Sequence, residues 1–115
     1  MGWEYGIQCI EEEGISKEQQ ARQLIEQLSQ ALVTLDLGDM VIEQVEAGLV
    51  IKDPSNTDWP DVAQIQVEQA DLAIESIAEG EVYIYCLFHR HDAPVRRMID
   101  IIQTSISTEE QWIEL

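Results

Sequence analysis

Every residue from Val82 to Phe88 carries an apolar or aromatic side chain, on odd and even positions alike. Successive side chains of a strand point to opposite faces of a sheet, so this pattern belongs to a central strand. Its valine, isoleucine, tyrosine and phenylalanine also make it the most strand-prone stretch of the chain. The other segments must supply its neighbours and its cover.

From Trp3 to Ile10, Trp3, Tyr5, Ile7 and Cys9 share one parity while Glu4, Gly6 and Gln8 share the other, the alternation of a half-buried strand. Glu11, Glu12, Glu13 and Gly14 end it. Ser16 followed by Gln19 has the spacing of a capping box, and Ala21, Leu24, Ile25, Leu28, Ala31 and Leu32 then repeat at helical intervals, predicting a helix from about Ser16 to Thr34. Two β-branched runs, Met40 to Glu46 and Leu49 to Lys52, flank Ala47 and Gly48 and read as a hairpin. Pro54, Ser55, Asn56, Thr57 and Pro60 make Asp53 to Asp61 a loop, with Trp59 tucked against the core or, alternatively, Pro60 opening a helix.

A strand is expected from about Ala63 to Gln69, while Leu72 to Ala78 fits a short helix or further strand equally well. Glu79, Gly80 and Glu81 turn the chain into the central strand. Beyond it, Asp92 or Ala93 caps a second helix with Pro94 in its first turn, and Val95, Met98, Ile99, Ile102 and Ile106 form its apolar stripe. The tail, Ser107 to Leu115, holds Trp112, Ile113 and Leu115 and reads as a short strand or docked segment. At 115 residues the chain forms one domain spanning 1–115. The expected fold is α+β: an antiparallel or mixed sheet of five or six strands with two helices on one face, in the order strand, helix, strands, helix, tail strand.

Charge narrows the partners. The 23 acidic against 6 basic residues give a formal net charge of -17. Such a field repels nucleic acid and anionic membranes and draws in basic proteins. Because 45% of residues are hydrophobic, the acidity does not come at the expense of a core, as it does in disordered acidic tails. Cys9 and Cys86 lie in strand-like runs without metal-type spacing, which points to two buried thiols in a reducing compartment, or to one disulfide if those strands are neighbours. The start of the sequence lacks the basic and apolar regions of a secretory signal, and no run is long enough to span a bilayer, so the expected location is cytoplasmic.

Half of the 6 basic residues, Arg90, Arg96 and Arg97, fall within one short segment beside His89 and His91 and just ahead of or inside a helix N-terminus. His89, Arg90, His91, Arg96 and Arg97 are therefore the candidate site for a small anionic ligand. The competing reading is that these arginines neutralise nearby acids. His89, His91 and Asp92 alternate as metal ligands would, but two histidines are too few for a zinc site and adjacent arginines oppose a cation. No catalytic residue is nominated: Cys86 has the opposite parity to His89, Ser105 and Ser107 have no neighbouring base, and the isolated glycines form no phosphate cradle, so no cofactor is expected.

The first functional expectation is a non-catalytic interaction or inhibitory module whose acidic face, Glu11, Glu12, Glu13, Glu43 and Glu46, with Trp59 as an aromatic anchor, engages a basic protein. In composition alone the chain resembles small acidic inhibitors such as the immunity proteins that neutralise basic nuclease toxins. The alternatives are the anionic-ligand or enzymatic site at His89 to Arg97, and an acid array that mimics nucleic acid. A second copy is a further candidate partner, its acidic face meeting the basic segment. Self-repulsion at this charge predicts that the thermal unfolding midpoint rises between ~10 mM and ~300 mM NaCl, as the screening length falls from roughly 30 Å to below roughly 8 Å. A flat midpoint over that range contradicts it.

Overall fold

A computed structural model describes residues 3–9, 14–35, 38–46, 48–73, 77–106 and 111–115. The elements are β1 (Trp3–Gln8), α1 (Lys17–Val33), β2 (Val41–Val45), β3 (Gly48–Lys52), β4 (Asp61–Gln69), β5 (Val82–Phe88), α2 (Ala93–Ile101), a π-helical turn (Ile102–Ile106) and β6 (Trp112–Glu114). All six strands join one antiparallel sheet in the order β2-β3-β4-β5-β1-β6. The run apolar on both parities, β5, lies between β4 and β1.

Register sorts the side chains. Ile84 sits opposite Ile7 and Val67, Cys86 opposite Tyr5 and Ile65, and Phe88 opposite Trp3 and Ala63. These belong to one face, and α1 and α2 cover it: Ala21, Leu28 and Leu32 from α1 and Val95, Met98 and Ile99 from α2 join Ile7, Leu49, Ile51, Ile65, Ile84, Cys86 and Phe88 in a single core. Each large aliphatic side chain fully buried here contributes about 1.5–3 kcal/mol through removal of apolar surface from water.

Helix α1 starts where the sequence places it. The Gln19 amide donates to Ser16 Oγ and the Ser16 amide donates to Gln19 Oε1, each at 3.2 Å, so two N–H groups that the helix leaves free find acceptors. Thr34 closes it, its amide donating to the Ala31 and Leu32 carbonyls. Asp92 caps α2, with Pro94 in the first turn where a missing N–H costs no hydrogen bond. The side chain of Ile106, the last member of the expected stripe, lies outside the described residues.

Several expectations change. Trp59 is not tucked into the core: it is 54% exposed. Pro60 opens no helix, because Asp61 begins β4 and the Pro60 carbonyl accepts from the Asp53 amide at 2.7 Å, closing the loop. Within 72–78, the described residues 72, 73, 77 and 78 form neither helix nor strand beyond an isolated bridge at Ile77; 74–76 lie outside the described residues. Ile77 instead packs with Ala70, Tyr83 and Ile113.

Strand β5, which carries Cys86, neighbours β1, which ends one residue before Cys9, yet the thiols are free. Cys86 faces Tyr5, four residues from Cys9, which is roughly 13 Å along an extended chain. A disulfide needs Cα atoms within about 7 Å. Burial pushes the Cys86 thiol up to about 12 and that of Cys9 up to about 11, against an opposing pull from Lys17. Among the described residues no helix is long and apolar enough to cross a membrane.

Gly48 opens β3 in close contact with β4. A Cβ at this position would lie 2.0 Å from the Ile65 carbonyl oxygen and 2.6 Å from Gln66 Cα, both backbone atoms that cannot swing aside. At Gly6 the nearest atom would be a Tyr83 ring carbon at 3.5 Å, an ordinary contact. Gly48→Ala is therefore expected to lower stability by about 1–3 kcal/mol in urea unfolding through overpacking, while Gly6→Ala is neutral or slightly stabilising. Equal midpoints for the two variants would refute this account of Gly48.

Candidate functional site

The basic segment leaves β5 at Phe88. The His89 amide donates to the Val62 carbonyl at 2.8 Å, extending the β4–β5 ladder past the end of the strand. Arg90 then turns inward: its Nη1 donates to Asp53 Oδ2 at 2.9 Å and its Nε to Asp92 Oδ2 at 2.8 Å, while Nη2 also reaches Asp92 Oδ2. The other oxygen of Asp92 accepts from the Val95 amide at 3.3 Å as the cap of α2. Asp53 Oδ1 accepts from the Ser55 hydroxyl and amide. One guanidinium thus ties the β3–β4 loop to the start of α2.

These contacts hold Asp53 below the usual carboxylate range, the Ser55 hydroxyl contributing most and Arg90 next. They also engage the Arg90 guanidinium and the N-terminus of α2, two of the groups that an anion at this segment would meet. Arg90 donates to two carboxylates, and the Asp92 side chain sits at the helix N-terminus. The two histidine rings lie against tryptophans: His91 stacks on Trp3 with centroids 5.0 Å apart, and His89 meets Trp59 edge-on at 5.8 Å. Arg96 and Arg97 are exposed on α2, beside the buried Val95, Met98 and Ile99. Among the described residues no cluster of three or more His, Cys, Asp or Glu side chains is placed to hold a metal.

Of the acidic candidates, Glu11, Glu12 and Glu13 lie outside the described residues. Glu43 is exposed on β2, 3.7 Å from Lys52 of β3. Glu46 lines a cleft of about 320 Å³ between α1 and the ends of β2, β3 and β4, beside Arg22, Ile25, Glu26 and Gln44.

The feature that sequence reasoning missed is the second face of the sheet. Tyr83, Tyr85 and Leu87 point away from both helices, opposite Gln8, Gly6 and Glu4 on β1 and Glu68, Gln66 and Gln64 on β4. Ala70 and Ile77 pack with Tyr83 and Ile113, and Tyr85 lies at the margin of that cluster. Beyond it the face is uncovered by any described element: Tyr85, Leu87 and Val50 are half-buried, and Val41 and Val45 are exposed at 46% and 47%. Carboxylates stand among them. The Tyr85 hydroxyl donates to Glu4 Oε1 at 2.8 Å, and Gln66 Nε2 donates to Glu68 Oε1. Burial, reinforced by Glu4, pushes the Tyr85 phenol up to about 12. The signal was present in β5, where the odd parity is as apolar as the even although two helices suffice to cover one face.

Arg90→Ala is expected to lower the thermal midpoint by about 3–8 °C, with Arg90→Lys intermediate because an ammonium cannot fork between two carboxylates. Arg96→Ala, at an exposed position, should shift it by less than about 2 °C. Because the Asp53 pKa is depressed by folding, its share of stability is present above the unfolded value of about 3.9 and is lost as pH falls through the folded one. The gap between wild type and Arg90→Ala should accordingly begin to narrow near about pH 4 and continue to narrow as pH falls through the folded value. A gap that persists there contradicts the role given to Asp53.

No protein-family model, curated protein or solved structure matches this chain.

Proposed function

We propose that this chain is a non-catalytic interaction module that takes a basic protein partner on the uncovered face of its sheet. The observation that carries the reading is that face itself: two apolar patches, Tyr85 with Leu87 on β5 and Val41, Val45 and Val50 on β2 and β3, flank the polar β4 row of Gln64, Gln66 and Glu68, with Glu4, Glu43 and Lys52 on the same face. Apolar side chains left half-buried on a structured sheet, with charged groups at their margins, have the make-up of an interface core and rim. The net charge of -17 selects the sign of the partner. It speeds approach of a cationic surface and disfavours acidic ones, while the two apolar patches limit dissociation.

Two glutamines separate this reading from general charge attraction. Gln64 is exposed on the uncovered face, and Gln30 is exposed on α1 in the opposite layer. Gln64→Lys and Gln30→Lys change the net charge identically. Proteins captured from lysate on the immobilised chain should be basic and should elute as salt is raised from ~50 mM to ~300 mM. Gln64→Lys should weaken capture of the main species by about tenfold or more, a difference of ~1.4 kcal/mol, with Gln30→Lys near wild type. If both variants capture equally, or the retained proteins are not basic, the proposal fails.

A further inference from the structure

Strand β2 forms one edge of the sheet and is paired on one side, to β3. Val45 is paired with Gly48 across two intervening residues, a closing pair that exchanges both backbone hydrogen bonds in an antiparallel ladder. Alternation then fixes the rest. Val41, Glu43 and Val45 direct their N–H and C=O groups toward β3, and Ile42 and Gln44 direct theirs outward. Among the described residues, none meets these outward groups from the far side.

Sheet edges are usually blunted by lysine, proline, a bulge or a strand too short to pair. The opposite edge, β6, is only 3 residues long. Strand β2 runs for 5 residues, VIEQV, with neither lysine nor proline, and four of its five side chains are exposed. The irregularity in the neighbouring ladder falls at Ile51/Lys52, between β3 and β4, and leaves β2 regular. The side chains of Val41, Glu43 and Val45 belong to the uncovered face, so a strand added here would continue that face.

Charge decides the occupant. The fullest pairing of β2 with a second copy sets Ile42 opposite Gln44 and places Glu43 directly opposite Glu43. Like charges in that position are destabilising, and each copy also brings a net charge of -17. A cationic strand meets the reverse situation. We infer that the free edge of β2 is a strand-addition site, at which an extended basic segment of a protein partner pairs with the outward backbone groups of Ile42 and Gln44 and sets its positive side chains beside Glu43. This rests on the proposed preference for a basic partner and names the mode by which that partner is held.

The test uses three peptides of about eight residues on the full chain: alternating lysine and valine, the same with two central valines replaced by proline, and alternating glutamate and valine. The lysine–valine peptide should bind about tenfold or more tightly than the proline form, which has equal charge but lacks the donors. It should also slow hydrogen exchange at the Ile42 and Gln44 amides. Gln44→Pro removes an outward N–H while leaving the ladder to β3 intact, and should abolish the difference between the two lysine peptides. Should that variant fail to fold, the peptide comparison and the exchange measurement on wild type still decide. Equal binding of both lysine peptides, or unchanged exchange at Ile42 and Gln44, overturns the edge site while leaving a basic partner in place. Binding of the glutamate peptide as strong as that of the lysine one overturns the basic preference itself. A dimer in sedimentation that Gln44→Pro dissolves overturns the choice of occupant.

Discussion

Burial of Ile84, Cys86 and Phe88 beneath the two helices is the contact to which the other elements are referred. These three side chains sit at the middle of the layer formed with Ile7, Ile65, Leu28 and Met98, and their strand pairs with β4 on one side and β1 on the other. Through β4 it sets the register of β3 and, beyond it, β2; through β1 it sets that of β6. A slip of one residue at β5 would turn Ile84 and Cys86 outward and bring Tyr83 and Tyr85 under the helices. The helix-side core therefore specifies which side chains remain on the other face.

The helices were legible because their signals are local. Ser16 and Gln19 lie three residues apart, as do Asp92 and Val95, and such spacing needs no knowledge of tertiary structure. The strands were legible from alternation and the hairpin from its two β-branched runs. What depended on distant partners was not. Cys86 lies on β5 and Cys9 just beyond the end of the adjacent β1, but the register of β1 against β5 decides whether they meet, and it places Tyr5 opposite Cys86. Arg90 reads from sequence as one of five candidate anion-site residues or as a charge that neutralises an acid, without showing which acid; its partner Asp53 lies in a loop far away in sequence, and only the closure of β4 onto β5 brings the two together. Trp59 reads from sequence either as tucked against the core or as an exposed anchor; the Asp53 amide donating to the Pro60 carbonyl and the Trp59 amide donating to Asn56 Oδ1 hold its loop on the surface.

Charge and shape act on the two faces differently. The helix side is closed by apolar packing that is indifferent to salt. On the other side, glutamates stand among tyrosines, valines and a leucine, so desolvating that surface removes carboxylates from water unless a counter-charge arrives with the covering group. Carboxylates interspersed with apolar patches thus discriminate among possible covers in a way that an apolar face alone would not. In the proposed reading, excess acidity acts as a filter on association, and lower compactness at low ionic strength is its physical cost.

The position of β1 has a consequence for the order of events during synthesis. Its hydrogen-bonded neighbours, β5 and β6, both come from the later part of the chain. The span from Lys17 to Gln69, by contrast, can assemble α1 with the β2-β3-β4 meander from neighbours in sequence. At translation rates of roughly 5–20 residues per second, the interval between Gln8 and Val82 is on the order of 4–15 s. Throughout that interval the Trp3, Tyr5 and Ile7 side of the first strand has no partner. A nascent chain consequently presents the apolar side of β1 well before β5, the strand it pairs with, has been made.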